Sequence, residues 1–276
     1  MRAALIGRGY WGKILIPYIK ERFNLVSITG KNDSNIKKIA KKVDVFFVAT
    51  TIDSHYEVVK KCLKQKKHVF CEKPLTNSYK KALKLAKIAK KNNLVLYTDY
   101  TEMVAPSRVE MLKRKDYVGK LMKINGLTTQ YGKFTNQNVL WQLASHQLSM
   151  LSLFVSLSSL NFTLEKMSFR NNIMSSGIIY FNGIIEGFIL VDINKKHKEK
   201  IFSIHGKNGK IIYDYTKKYS IEFYKKNNLQ YKKKFNEKNN LFYSIEAFEK
   251  ILKNKKKSNI DISLEIVKII DNLVNS

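Results

Sequence analysis

At 276 residues, with 44% apolar side chains and three prolines, the chain is long enough for a large core, and its composition excludes the disordered and low-complexity classes. Its formal charge of +29, from 51 Lys and Arg against 22 Asp and Glu, is spread over nearly every segment. That spread argues against a nucleic-acid footprint, which gathers basic residues on one face, and toward affinity for anionic small molecules.

Residues 3–6 form a short apolar strand, followed at once by Gly7-Arg8-Gly9-Tyr10-Trp11-Gly12 and a helix-like pattern through Ile14, Leu15, Tyr18 and Ile19. In such a turn the first glycine allows the tight bend, the second lets a pyrophosphate approach the backbone, and the third lets helix and strand pack closely. The helix N-terminus then offers N–H groups to the phosphates. A glycine turn without a ligand is the alternative reading. Pro17 falls inside this helix, where a bend is expected. The second strand, Leu25–Thr29, ends without the acid that commonly binds a ribose diol; Lys31 follows instead, and NADP is slightly favoured over NAD.

Val43–Ala49 is a near-continuous apolar run, as expected of a parallel strand covered on both faces. It ends in Thr50-Thr51-Ile52-Asp53-Ser54-His55, and helical periodicity follows. The next strand, 68–71, delivers Glu72-Lys73-Pro74 to its end. Taken alone that triplet is more readily a surface ion pair than a site. Asn77 or Ser78 can cap a helix with stripe Ala82, Leu85, Ala86, Ile88 and Ala89, and Leu94–Thr98 is a further strand. Alternating strands and helices predict a doubly wound parallel sheet over residues 1–118. Ligands bind such sheets beyond the strand C-termini. Gly7–Gly12, Thr50–His55 and Glu72–Pro74 all fall on that edge, and there a partly dry Lys73 can exchange protons near neutrality.

Residues 119–276 read differently. After a helix near Pro106–Lys115 comes a strand, Lys120–Gln130, and then Leu140–Leu160, which holds no Lys, Arg, Asp or Glu. Its Gln142, His146, Gln147 and serines make it a buried amphipathic helix, not a membrane span. Strand-like runs at 163–170, 174–181, 184–193, 199–205, 209–213 and 219–224 predict a largely antiparallel sheet, with turns at Asn171-Asn172, Asn182-Gly183 and Asn208-Gly209. Residues 225–240 read as a polar loop, and two helices close the chain, near 241–253 and 262–274; the last is able to pack back on the first domain. Cys62 falls in an expected helix and Cys71 in an expected buried strand, so no disulfide framework is predicted. Met1 leads directly into a strand, so no signal peptide is expected; a reducing, cytoplasmic setting fits. No metal site is expected.

With GRGYWG, VDVFFVATTIDSHYEVVKKCL, HVFCEKPL and the helix carrying His146 in this order, the chain resembles the Gfo/Idh/MocA oxidoreductases. The likeness is most specific over 43–75 and weakens beyond about 160. It implies an N-terminal Rossmann domain, a C-terminal α+β domain with an open sheet that binds substrate and mediates a homodimer or homotetramer, and a nicotinamide cofactor. It further implies a sugar, cyclitol or nucleotide-linked sugar as substrate, with hydride passing to or from a secondary alcohol or ketone carbon. Carried over, Gly7, Arg8, Gly9, Tyr10, Trp11 and Gly12 hold the pyrophosphate side of the cofactor, Thr50 and His55 lie along it, and Glu72 sits beside it. Lys73 stands near the nicotinamide and the reacting carbon, and His146 faces the substrate with Gln142. Gln142 and Gln147 occupy positions where relatives commonly carry carboxylates, so His146 is expected to be a weaker base here and Lys73 to carry more of the proton work. A cofactor-binding scaffold or regulator without turnover is the alternative that these missing acids raise.

Overall fold

The computed structural model describes residues 1–30, 35–131, 136–217, 220–236 and 238–276. The chain forms two compact units, one from Met1–Thr101 with Asn239–Asp271, the other from Glu102–Lys238 with Asn272–Ser276.

The first unit alternates strand and helix: β1 (Arg2–Ile6), α1 (Tyr10–Arg22), β2 (Asn24–Thr29), α2 (Ile36–Ala40), β3 (Val45–Val48), α3 (Ile52–Lys64), β4 (His68–Glu72), α4 (Tyr79–Lys91) and β5 (Leu96–Asp99). The strands are all parallel, in the order β2-β1-β3-β4-β5. Their apolar runs are buried on both faces, which is why they lack polar alternation. The chain turns outward from β1 to β2 and then returns to β3, so a crevice opens between the C-terminal ends of β1 and β3. Helix α1 runs unbroken through Pro17.

The second unit holds α5 (Pro106–Lys113), β6 (Leu121–Thr129), a π-turn (Leu140–Ala144) continuing into α6 (Ser145–Leu151), then β7 (Leu160–Arg170), β8 (Ile173–Gly183), β9 (Glu186–Asp192), β10 (Glu199–Gly206), β11 (Gly209–Asp214), β12 (Ser220–Lys225) and β13 (Asn228–Lys233). The sheet order is β13-β12-β11-β10-β6-β9-β8-β7, antiparallel except where β6 meets β9. Helix α5 packs on β11 and β12, so the division lies at Thr101/Glu102, not at the expected 118/119.

Three expectations are corrected. The uncharged run does not form one helix to residue 160; helix ends at Leu151, and Leu157–Ser159 is a single tight turn. Serine hydroxyls there donate to the carbonyls three residues back, Ser149 to His146, Ser152 to Ser149 and Ser159 to Ser156, at 2.7–2.8 Å, and so compete with helical bonding. Its helical part, 140–151, is also buried nearly all round, not on one face. The polar stretch after 225 forms β13, an edge strand paired with β12 through a turn in which Lys226 and Asn227 both take left-handed φ values (47° and 66°). Its lysines suit an exposed sheet edge, which needs no apolar alternation. Asn182 and Gly183 end β8 instead of forming its turn; the connection to β9 is Ile184–Ile185. Among the described residues no helix is long and apolar enough to cross a membrane.

Two closing helices, α7 (Asn240–Asn254) and α8 (Ile260–Asn275), return to the first unit, α8 as far as Asp271. Phe248 of α7 packs among Phe23, Phe47, Phe70 and Tyr97. Arg22 of α1 bridges Glu246 (2.7 Å) and Glu249 (3.2 Å) on α7. Asn259 pairs its side-chain amide with both backbone groups of Thr98, at 3.0 and 2.7 Å, and so closes the open edge of β5. The N-cap position of α4 is Ser78, yet its side chain makes no capping bond; the Tyr79 N–H donates instead to Asp271 of α8 at 2.8 Å.

Candidate functional site

In the first unit the glycine turn joins β1 to α1 at the crevice. The Gly7 N–H donates to Thr29 O at 2.8 Å, which ties the turn to the end of β2. Gly7 has φ +128°, and a Cβ there would overlap the Ala49 carbonyl; a Cβ on Gly12 would overlap the Gly7 carbonyl. Both glycines are demanded by protein packing. Gly9 is not, because a Cβ there meets nothing within 4 Å. It lies at the N-cap of α1, where no side chain caps the helix and no acid stands in the first turn. An open cradle under an uncapped helix N-terminus fits a pyrophosphate. Tyr10 and Trp11 are exposed beside it. Arg8 donates to Ile28 O at 3.1 Å, which holds its guanidinium at the end of β2. Lys31 lies outside the described residues.

Thr50 follows β3 at the other wall of the crevice, with Ser54 Oγ 2.8 Å from its hydroxyl. His55 is 1% exposed, with Nδ1 3.0 Å from Pro74 O and Nε2 3.0 Å from Thr50 O. Both ring nitrogens face backbone carbonyls, so His55 fastens the Thr50 turn to the Pro74 turn. Burial lowers the imidazole below its ordinary value, against the pull of the two carbonyls.

Strand β4 ends with Glu72 buried and Lys73 half-buried, and the Lys73–Pro74 peptide is cis. Burial pushes the Glu72 carboxyl up to about 7, opposed by the Lys73 ammonium, the Lys73 N–H and contact with Asp99. Glu72 Oε1 has no hydrogen-bond partner among the described residues. Sequence reasoning missed Asp99. Its signal was available, as an acid ending a strand on the same sheet edge. Its partner Ser244, which donates to Asp99 Oδ1 from α7, was not legible, since it lies 145 positions away.

In the second unit, the π-turn and α6 carry Gln142, His146 and Gln147, with His146 half-buried and both glutamines buried. Gln142 Nε2 donates to Gln137 O at 2.7 Å. Gln147 Nε2 lies 3.1 Å from Leu127 O, 2.8 Å from Thr128 Oγ1 and 3.4 Å from Ile201 O, which pins α6 to β6 and β10. Gly126 leaves room for it, since a Cβ there would come 2.8 Å from Gln147 Oε1. A carboxylate has no N–H to give these oxygens. Gln147→Glu is therefore expected to destabilise the protein by about 1–3 kcal/mol at neutral pH in urea unfolding, with the penalty shrinking as acid protonates the introduced group. An unchanged midpoint would remove this account of the amide. Among the described residues no group of His, Cys, Asp or Glu is arranged to hold a metal ion.

The fold order, the glycine turn and its open cradle define a dinucleotide-binding Rossmann unit joined to an α+β unit. Residues 27–100 match the model of the Gfo/Idh/MocA oxidoreductase family, described as an NAD-binding Rossmann fold. Over 58 residues it is 38% identical to the myo-inositol 2-dehydrogenase of Thermotoga maritima, covering 21% of this chain and 17% of that one. The chain matches less than a third of the length of the curated relatives it resembles. Solved structures extend the likeness of fold to the whole chain. A UDP-N-acetylglucosamine 3-dehydrogenase from Acidithiobacillus ferrooxidans has a TM-score of 0.90 at 14% identity, covering 99% of this chain and 96% of that one. A 3-ketoreductase from Actinomadura kijaniata, in complex with TDP-benzene and NADP, has a TM-score of 0.86 at 15% identity, covering 99% and 96%.

Proposed function

We propose that this chain is an NAD(P)-dependent oxidoreductase of a sugar, one linked to a nucleotide. The observation that carries the reading is the Gly9 cradle under the uncapped α1, at the β1/β3 switch point, with Lys73 ending β4 on the same sheet edge. A bound nicotinamide supplies the hydride acceptor or donor. Gly7, Gly9 and Gly12 shape the turn that takes the pyrophosphate, Tyr10 and Trp11 flank it, and Thr50 and Glu72 border the cofactor. Lys73 and His146 hold and move the proton of the substrate hydroxyl, and Gln142 orients the imidazole. The nucleotide link draws support from the summed positive charge, which favours a diphosphate, and from the two solved relatives whose names carry UDP and TDP compounds. The open sheet of the second unit is proposed to join copies of the chain. Calorimetry with NAD(H) and NADP(H) tests the first step, and absence of binding to either would end the reading.

NADP is the favoured cofactor, and among the described residues Arg8 is the cation placed at the end of β2. Arg8→Ala is expected to weaken NADP binding about tenfold to a hundredfold and to leave NAD binding nearly unchanged. Equal losses for both cofactors would move Arg8 from the 2′-phosphate to the pyrophosphate. The second reading, a cofactor-binding regulator without turnover, draws on the engagement of both glutamine amides with backbone carbonyls. Cofactor binding without hydride exchange across a broad panel of sugars and nucleotide sugars would favour it.

A further inference from the structure

Asp99 is an acid on the ligand edge that the proposed function does not use. Glu72 and Asp99 are Cα partners at the ends of the adjacent parallel strands β4 and β5. They are 8% and 1% exposed, and as Cα partners on adjacent strands they project their side chains to the same face of the sheet, which brings the two carboxyl groups together. Two carboxylates offer only acceptors to each other, so that contact requires a proton. Behind them, Ser244 Oγ donates to Asp99 Oδ1. With its proton so engaged, Ser244 accepts from the Tyr97 hydroxyl, 3.3 Å away. In front, the Lys73 ammonium is the cation that acts on Glu72. The neighbouring titratable groups are the thiols of Cys71 and Cys62, both raised by burial, and the phenols of Tyr97 and Tyr100, the latter raised by burial also. A doubly ionised pair would leave one negative charge in this dry pocket without a counter-charge; a singly ionised pair and Lys73 sum to zero.

We propose that Glu72 and Asp99 share one proton up to about neutral pH, and that this pair, fixed by Ser244, sets the protonation state of Lys73. Asp99 and Ser244 are thus positioning residues that act through Glu72. The influence on Lys73 has catalytic meaning only under the proposed function; the shared proton does not depend on it.

The test uses the full chain without cofactor. The folded protein holds a proton that the unfolded chain releases above the ordinary glutamate range, so the pair's contribution to stability falls as pH rises from about 4.5 to about 7 and is level beyond. His55, His68 and His205, whose imidazoles burial lowers, contribute the opposite slope, so the pair's part is read as the difference between wild type and variants. That part is expected to be a roughly hundredfold drop in the folding constant across the window. Glu72→Gln and Asp99→Asn each replace the shared proton with a fixed donor, so both should abolish the drop. A pH dependence of stability unchanged in both variants overturns the proposal. Should either variant fail to fold, infrared difference spectra of the wild type decide: the C=O stretch of a buried protonated carboxyl must persist through that window and disappear around pH 7, where the folded protein gives up the proton. Its absence overturns the shared proton. The Lys73 resonance in the 13C-methylated protein, assigned with Lys73→Arg, should show an inflection that tracks the pair and that Asp99→Asn removes. A Lys73 titration unmoved by Asp99→Asn overturns the positioning role. Neither measurement involves a nicotinamide, so failure to bind cofactor and failure of this proposal are separate results.

Discussion

Lys73→Ala is expected to lower turnover by about a hundredfold or more while cofactor affinity changes only severalfold. The amine sits half-buried at the end of β4, held by a buried strand and followed by a buried Pro74, so its position is set by the sheet and not by a mobile loop. Beside it, the raised Glu72 carboxyl supplies less negative charge near neutrality than an exposed glutamate would. Lys73→Arg separates two roles. It keeps the cation but cannot give up a proton in the working range, so it should be nearly as slow as alanine if Lys73 transfers a proton and largely active if it only polarises. His146→Ala is expected to cost less, because Gln142 supplies no charge to favour the imidazolium. Small, equal losses from both alanine variants would sink the assignment.

The three glycines of the turn should respond in opposite ways. Gly12→Ala gains about 1 kcal/mol in helix propensity, yet its Cβ would overlap the Gly7 carbonyl, and the overlap wins: a net loss of about 3 kcal/mol or more is expected in chemical unfolding. Gly7→Ala adds strain at φ +128° to overlap with Ala49 O and should behave similarly. Gly9→Ala meets open space. Its unfolding midpoint should match the wild type, while dinucleotide affinity falls at least about tenfold because the methyl group fills the cradle. Retained affinity with a matched midpoint would show that the cradle at Gly9 is not where the pyrophosphate lies.

The first unit was readable because a parallel sheet buried on both faces writes itself as unbroken apolar runs, as in 45–48 and 68–71, with glycines and polar turns at one edge. The strand β13 was not, since a solvated edge strand needs no apolar period. In 140–160 the lack of charge announced burial correctly but said nothing of where serines would end the helix. His55 looked like a site residue from its place in the motif, although both ring nitrogens are engaged by the protein's own backbone.

Local chemistry in the chain was enough to locate the glycine turn, the end of β4 and the change from parallel to antiparallel sheet, because each depends on neighbours in sequence and on backbone sterics. Contacts between distant segments settled the rest. Ser244 reaches Asp99, Asn259 closes the edge at Thr98, and Asp271 caps α4, all from the far end of the chain. Whether Glu72 and Asp99 meet in the dry interior depends on strand order and register, and desolvation there, not residue type, decides how many protons they hold.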